Sequence, residues 1–293
     1  MLAELLASPA RLGPGAGPEV LAEACSLLES AAAAGVAVGG WTVDEPLRLA
    51  KRSVRELLTC PRRALVDSSL SAGGDLTNLV LGDIVDAGAK LATLGPRVPP
   101  TVDDAVGFLA ASGSTFVSDH LASLSSEAAA ELLAEAAARL DPLVASWPAV
   151  PGAWWPRVEE PARLRLAGGA IVVSGKLDIL LGGPPTPLPG LVVELKAGRW
   201  FDAVRYDGHL YALLVGLRDG VAPAAVLSVC AGDGATQLEP IRAEVLLHAA
   251  ERVAEAITVA APLAAGEPAP ARPNPTCPYC PLRPTCPEAQ AAA

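Results

Sequence analysis

Two short runs hold the residues best placed to do chemistry: Gly175-Lys176-Leu177-Asp178 and, after a Gly/Pro spacer, Glu194-Leu195-Lys196. Each lies in an apolar stretch, Ile171 to Leu181 and Leu191 to Val193, and the spacer between them can continue neither, so the pair reads as two strands. Side chains alternate along a strand, which puts Glu194 and Lys196 on one face and Val193 and Leu195 on the other. If the strands are neighbours, Asp178 joins the Glu194 face. Two carboxylates and one ammonium on an apolar sheet are costly to bury without a neutralising partner, and a divalent cation with oxygen ligands is such a partner. The chemistry this asks for is metal-assisted hydrolysis. The plainer alternative is an exposed Glu-Lys pair on a half-solvated edge strand.

Cysteine supplies a second constellation. Cys60 stands alone before Pro61, whereas Cys277, Cys280 and Cys286 form a C-x2-C-x5-C trio at the other end of the chain. Zinc ribbons usually offer two close pairs, so one cysteine meeting a distant trio is a different pattern, although zinc stays an open alternative. Cys25 and Cys230 read as small buried hydrophobes.

Cations cluster beside Cys60. Arg48, Lys51, Arg52 and Arg55 recur at steps of three and four, and Arg62 and Arg63 follow, so six of the 22 basic residues fall within sixteen positions. Thr42 and Glu45 have capping-box spacing with Pro46 behind them, which predicts a helix whose apolar face is Leu47, Ala50, Val54, Leu57 and Leu58. Like charges on its other face repel, and few acids nearby in sequence relieve them; a phosphate backbone would. An ordinary solvated face is the competing reading.

The Gly175 to Asp178 and Glu194 to Lys196 motifs, with the split cysteines, resemble the PD-(D/E)XK nucleases. The resemblance is to the RecB-like, AddB-like iron-sulfur branch, which includes the CRISPR-adaptation nucleases. It implies a restriction-endonuclease-like α/β core, a central mixed sheet flanked by helices, with helical additions. It also implies a 4Fe-4S cluster on Cys60, Cys277, Cys280 and Cys286 that joins the two ends of the chain. Magnesium or manganese would be held by Asp86, Asp178, Glu194 and the Leu195 carbonyl. Asp86 stands four residues after Gly82, where the family has histidine, and Asp207 stands where it has glutamine, four residues before Tyr211. Asp178, Glu194, Lys196 and Tyr211 would be catalytic, with Glu160, less so Glu159, as a further acid near the metal. The implied substrate is DNA with single-stranded ends, cut by an exonuclease working beside a helicase or other DNA-processing subunit. Two other readings stand beside it: a DNA-binding scaffold subunit that does not cleave, and a zinc-stapled structural protein.

The elements that must position these residues follow from composition and punctuation. With 293 residues, 51% of them hydrophobic, the chain can bury a substantial core, while 28 prolines and 27 glycines interrupt it often. A net charge of -10 excludes a protein coated in positive potential but not a local DNA site. No apolar run comes near the roughly 18 residues that span a bilayer, and Glu4 stands where a signal peptide has a cation; a cytoplasmic protein is expected. The expected organisation is a helical extension over 1–40, then the basic helix, Cys60 and a helix from Ser71 to Lys90 within 41–95. A helical insertion over 96–156, the nuclease core over 157–261 and a Pro-rich linker with the cysteine trio over 262–293 complete it.

Overall fold

The apolar runs on either side of the Gly/Pro spacer form the centre of a six-stranded mixed sheet. The computed structural model describes residues 1–65, 76–95 and 98–291. In chain order the strands are β1 (Leu47–Ala50), β2 (Arg157–Leu166), β3 (Ile171–Leu181), β4 (Leu191–Lys196), β5 (Ala225–Cys230) and β6 (Thr236–Pro240). β2 and β3 form an antiparallel hairpin about a turn in which Gly168 and Gly169 have φ of 65° and 104°. β4 runs antiparallel to β3 and parallel to β5, and β6 closes the sheet antiparallel to β5.

The register at β3 decides where the site lies. β2 occupies one edge of β3 from Ile171 to Leu180, so β1 and β4 must share the other edge. β1 pairs there in parallel with Ile171–Ser174, and β4 pairs antiparallel with Ile179–Leu181. Their C-terminal ends therefore point at each other across Gly175–Asp178, which has no strand partner on that edge among the described residues.

Helices cover both faces. Within the described residues they are α1 (Leu2–Ala7), α2 (Pro18–Gly39), α3 (Lys51–Thr59), α4 (Pro61–Ala64), α5 (Thr77–Leu94), α6 (Val102–Ala111), α7 (Phe116–Ser123) and α8 (Ser126–Ser146). After the core strands come α9 (Asp202–Asp219), α10 (Ala243–Ala264) and α11 (Pro287–Ala291). Residues of α2, α3, α9 and α10 pack on Ile171, Val173, Leu177, Val192 and Val226. Burial of each large aliphatic side chain there contributes about 1.5–3 kcal/mol. The opposite face, Ile179, Leu191, Val193, Leu195 and Leu227, meets α1, Ala89 and Trp154. Alternation along β4 thus sends Val193 and Leu195 to one layer and Val192 to the other. Helices α5 to α8 share an apolar cluster of their own, including Leu81, Ile84, Leu132 and Leu140. Ser125 caps α8, its hydroxyl accepting from the Ala128 N–H at 3.2 Å.

Three expectations are corrected. The helix predicted from Pro46 begins only at Lys51, because Leu47–Ala50 are drawn into the sheet as β1. Thr42 and Glu45 do meet, the Glu45 N–H donating to the Thr42 hydroxyl at 3.1 Å, but they close a turn and not a helix. The helix expected from Ser71 runs from Thr77 to Leu94, and residues 71–75 lie outside those described. Finally, α2, at 22 residues, is long and apolar enough by composition to cross a membrane. Its Val20, Leu21, Ala24, Leu28 and Ala32 are instead buried in the core shared with α10, so its apolar stripe already has a protein partner.

Candidate active site

Asp178 sits where the β3–β4 ladder gives way. Its Oδ2 accepts the Leu195 N–H at 2.8 Å, a side chain standing in for the next strand bond. Opposite it on β2 stands Glu159, with φ of 56°, a conformation that costs a non-glycine residue about 1–3 kcal/mol and recurs at functional sites. The pairing of β2 with β3 skips this one position, and it turns the Glu159 carboxylate toward Lys90 and Lys176.

Glu194 is wholly buried, and its Oε1 accepts both Lys196 and, at 2.8 Å, Lys51 from the head of α3. Its Oε2 is buried with no hydrogen-bond partner among the described residues, as is Asp86 Oδ1. Asp86 arrives from α5, and its other oxygen meets Lys90, which also reaches Glu159. Asp207, on α9, lies 3.8 Å from Lys51, 3.7 Å from Arg55 and 4.0 Å from Lys196. One helical turn further on, Tyr211 is buried, with the Lys51 ammonium 4.8 Å from its ring centroid. A Cβ on Gly175 would overlap that ring, so the glycine of the first motif is what lets the tyrosine lie against β3.

The charges set one another. Burial, then Glu194 and Asp86, push the Asp178 carboxyl up to about 7, against Lys196 and Lys90. Burial would also raise Glu194, but Lys196 and Lys51 outweigh it and hold that carboxyl below its usual range. Burial raises Asp86 and Asp207. Desolvation would lower Lys51, yet Glu194 and Asp178 lift it, so its ammonium stays charged. Tyr211 is pushed up by burial and the same carboxylates, and keeps its proton.

The structure gathers Asp86, Asp178, Glu194, Lys196, Asp207 and Tyr211, and the Leu195 backbone is hydrogen-bonded into the group. It does not include Glu160, whose carboxylate bonds Arg218 at 2.9 Å and faces away; Glu159 is the acid turned inward, because of its left-handed backbone. Nor do the six cations share one face. Lys51 belongs to the site, Arg55 flanks it and Arg52 pairs with Glu56, while Arg48 is exposed on β1. Arg62 reaches Glu288, and Arg63 donates to the Thr276 hydroxyl. One relieving acid, Glu56, is local to α3; the others come from β4, α9 and α11. Lys90, with Lys51 as a site residue, is what the motifs leave out, and Glu159 replaces Glu160 as the inward acid. The usable signal was composition, since Lys51, Lys90, Lys176 and Lys196 are the only lysines in the chain.

At the other end, Cys60, Cys277, Cys280 and Cys286 line one small pocket. The Arg272 N–H points at Cys60 Sγ (3.5 Å), the Asn274 N–H at Cys277 Sγ (3.3 Å) and the Arg62 guanidinium at Cys286 Sγ (3.6 Å), donors that suit thiolate sulfur. Among the described residues no three His, Cys, Asp or Glu side chains already stand in metal-ligand geometry. By type and by unpartnered oxygens the carboxylate cluster fits a hard divalent cation, and the four thiols fit a sulfur-ligated centre.

Comparison with known proteins agrees with the strand motifs. No curated protein matches the sequence. Among solved structures the chain is similar to the crystal structure of SSO0001, at 14% identity and a TM-score of 0.35, over 89% of this chain and 94% of that one. The family model for the PD-(D/E)XK nuclease superfamily matches residues 48–287, which include both strand motifs and all four clustered cysteines. The chain belongs to the PD-(D/E)XK nuclease superfamily.

Proposed function

We propose that the protein is a divalent-metal-dependent deoxyribonuclease that hydrolyses phosphodiester bonds at single-stranded DNA ends. The observation that carries this reading is the group of Asp86, Asp178 and Glu194 with two buried carboxylate oxygens, Glu194 Oε2 and Asp86 Oδ1, that no donor among the described residues satisfies. Magnesium or manganese bound by these three carboxylates and the Leu195 carbonyl would polarise the scissile phosphate and lower the pKa of a water. Lys196 orients the attacking water and stabilises charge growing on the phosphate. Tyr211, kept protonated, steadies the strand beside them. Arg55, which flanks the site on α3, contacts a phosphate next to the cut. The cysteines hold a 4Fe-4S cluster whose role is structural, tying α4 to the C-terminal segment.

The test is cleavage of single-stranded, double-stranded and forked DNA with each metal. Lys196→Ala and Glu194→Gln should each lower the rate at least about a hundredfold, close to 3 kcal/mol of transition-state stabilisation, with DNA binding retained. Equal cleavage by wild type and Lys196→Ala would assign the activity elsewhere. One observation favours a second reading, a DNA-binding subunit that does not cleave: the buried Lys90 ammonium already sits against Asp86. A wild-type protein that binds DNA but is inert on all three substrates decides for it.

A further inference from the structure

The chain has eighteen arginines and four lysines, and all four lysines converge on this one site. The two side chains are not interchangeable: an ammonium is a compact charge with three donors that turn freely, whereas a guanidinium is a broad planar fork. A sequence that elsewhere meets its need for cations with arginine uses the compact charge only here. Lys90 and Lys176 both bind Glu159; Lys51 and Lys196 both bind Glu194 Oε1.

One ammonium suffices to neutralise one buried carboxylate, and Lys196 supplies it from the same strand. Lys51 is a second cation on the same oxygen, delivered from another element because β1 ends head-on to β4. Asp207 does not absorb the excess. It is shared with Arg55 and Lys196, so within 4.0 Å three cations share two carboxylates, and Asp178 acts on Lys51 only from farther off. Lys51 is also held in place, by the Tyr211 ring beneath it, and its side chain remains 28% exposed. A fixed, solvent-reachable surplus of positive charge beside the carboxylates is where an anion would dock.

We propose that Lys51 is a second catalytic lysine, whose ammonium binds a non-bridging oxygen of the scissile phosphate across from Lys196. The inference rests on the nuclease reading. Lys51 keeps its protons throughout; it binds charge that develops on the phosphate while water displaces the leaving oxygen.

Cleavage and salt-dependent binding of a single-stranded oligonucleotide by wild type, Lys51→Ala, Lys51→Gln and Lys51→Arg test it, with thermal melting to verify folding. Lys51→Ala and Lys51→Gln should cleave about a hundredfold more slowly and lose about 0.7 from the log-log salt slope, the share of one single-strand phosphate contact. Lys51→Arg should restore the slope but not the rate. A Lys51 that only neutralised Glu194 would leave the slope unchanged, and an unchanged slope in folded Lys51→Ala or Lys51→Gln overturns the proposal. Wild-type-like cleavage by either variant overturns it too. Should wild type bind DNA without cutting it, the hydrolytic reading falls, and with it the catalytic role; the slope then decides whether Lys51 touches phosphate at all. Absence of binding by wild type ends both.

Discussion

Asp178 is the residue whose protonation the fold alters most usefully. Its carboxyl titrates at about 7, because it is buried between Glu194 and Asp86. The folded protein therefore holds this proton over a range, about pH 4 to 7, in which the unfolded chain has released it. A folded-state pKa raised in an acid means that stability falls as pH rises through that window. In Asp178→Asn, which still accepts from the Leu195 N–H, this slope should vanish. Melting curves of the two metal-free proteins between pH 4 and 7 should thus diverge, with the variant gaining on wild type as pH rises. Parallel curves would remove Asp178 as the titrating group. Ion and proton compete for the same oxygens, so magnesium or manganese affinity should climb with pH up to about 7.

At the scale of elements, the site depends on how closely α9 lies on β3. The closest approach is the Tyr211 ring over the bare backbone of Gly175, and the same ring carries Lys51 on its face. Gly175→Ala should push the ring away at a cost of about 1–3 kcal/mol, the range for overpacking, and misplace Lys51. Tyr211→Leu should relieve that strain. A double-mutant cycle read by melting temperature should show that Gly175→Ala costs markedly less when Tyr211 is already Leu; additive losses would mean that the contact is not the cause. The helix predicted over Leu47–Ala50 fails for a related reason. Its local signals are satisfied by a turn, and partners on β3 more than a hundred residues away take the four residues into the sheet.

Across the whole molecule, the C-terminal segment is docked on the Cys60 region by ordinary hydrogen bonds as well as by sulfur. The Arg62 N–H donates to the Pro270 carbonyl at 3.2 Å, and the Arg272 guanidinium donates to the Leu58 carbonyl at 3.1 Å. Protein prepared without oxygen should be brown, with iron and labile sulfide in cluster stoichiometry and absorbance near about 400 nm. Colourless protein with one equivalent of zinc would replace the iron assignment. Cys277→Ala should lose the colour and melt at lower temperature, because metal binding is coupled to folding of the closed form. Cys230→Ala is the control: this thiol is buried at the end of β5 and pushed up to about 11 by burial, so colour should persist.

Local order was enough to identify β3 and β4, since short continuous apolar runs separated by a Gly/Pro spacer specify them without help from distant residues. It also placed Glu194 and Lys196 on one face, which is a property of any strand. Distant pairing decided the rest. Nothing near Lys51 in sequence distinguishes it from Arg48 or Arg52, and only the meeting of β1 and β4 over Gly175–Asp178 turns it inward. Glu159 and Glu160 are adjacent and identical in type; a left-handed φ in the fold sends one to the site and the other to Arg218. Charge balance, too, is largely a sum over space: apart from Glu56, which pairs with Arg52 within α3, the acids that relieve the cationic segment come from β4, α9 and α11, which become its neighbours only when the chain folds.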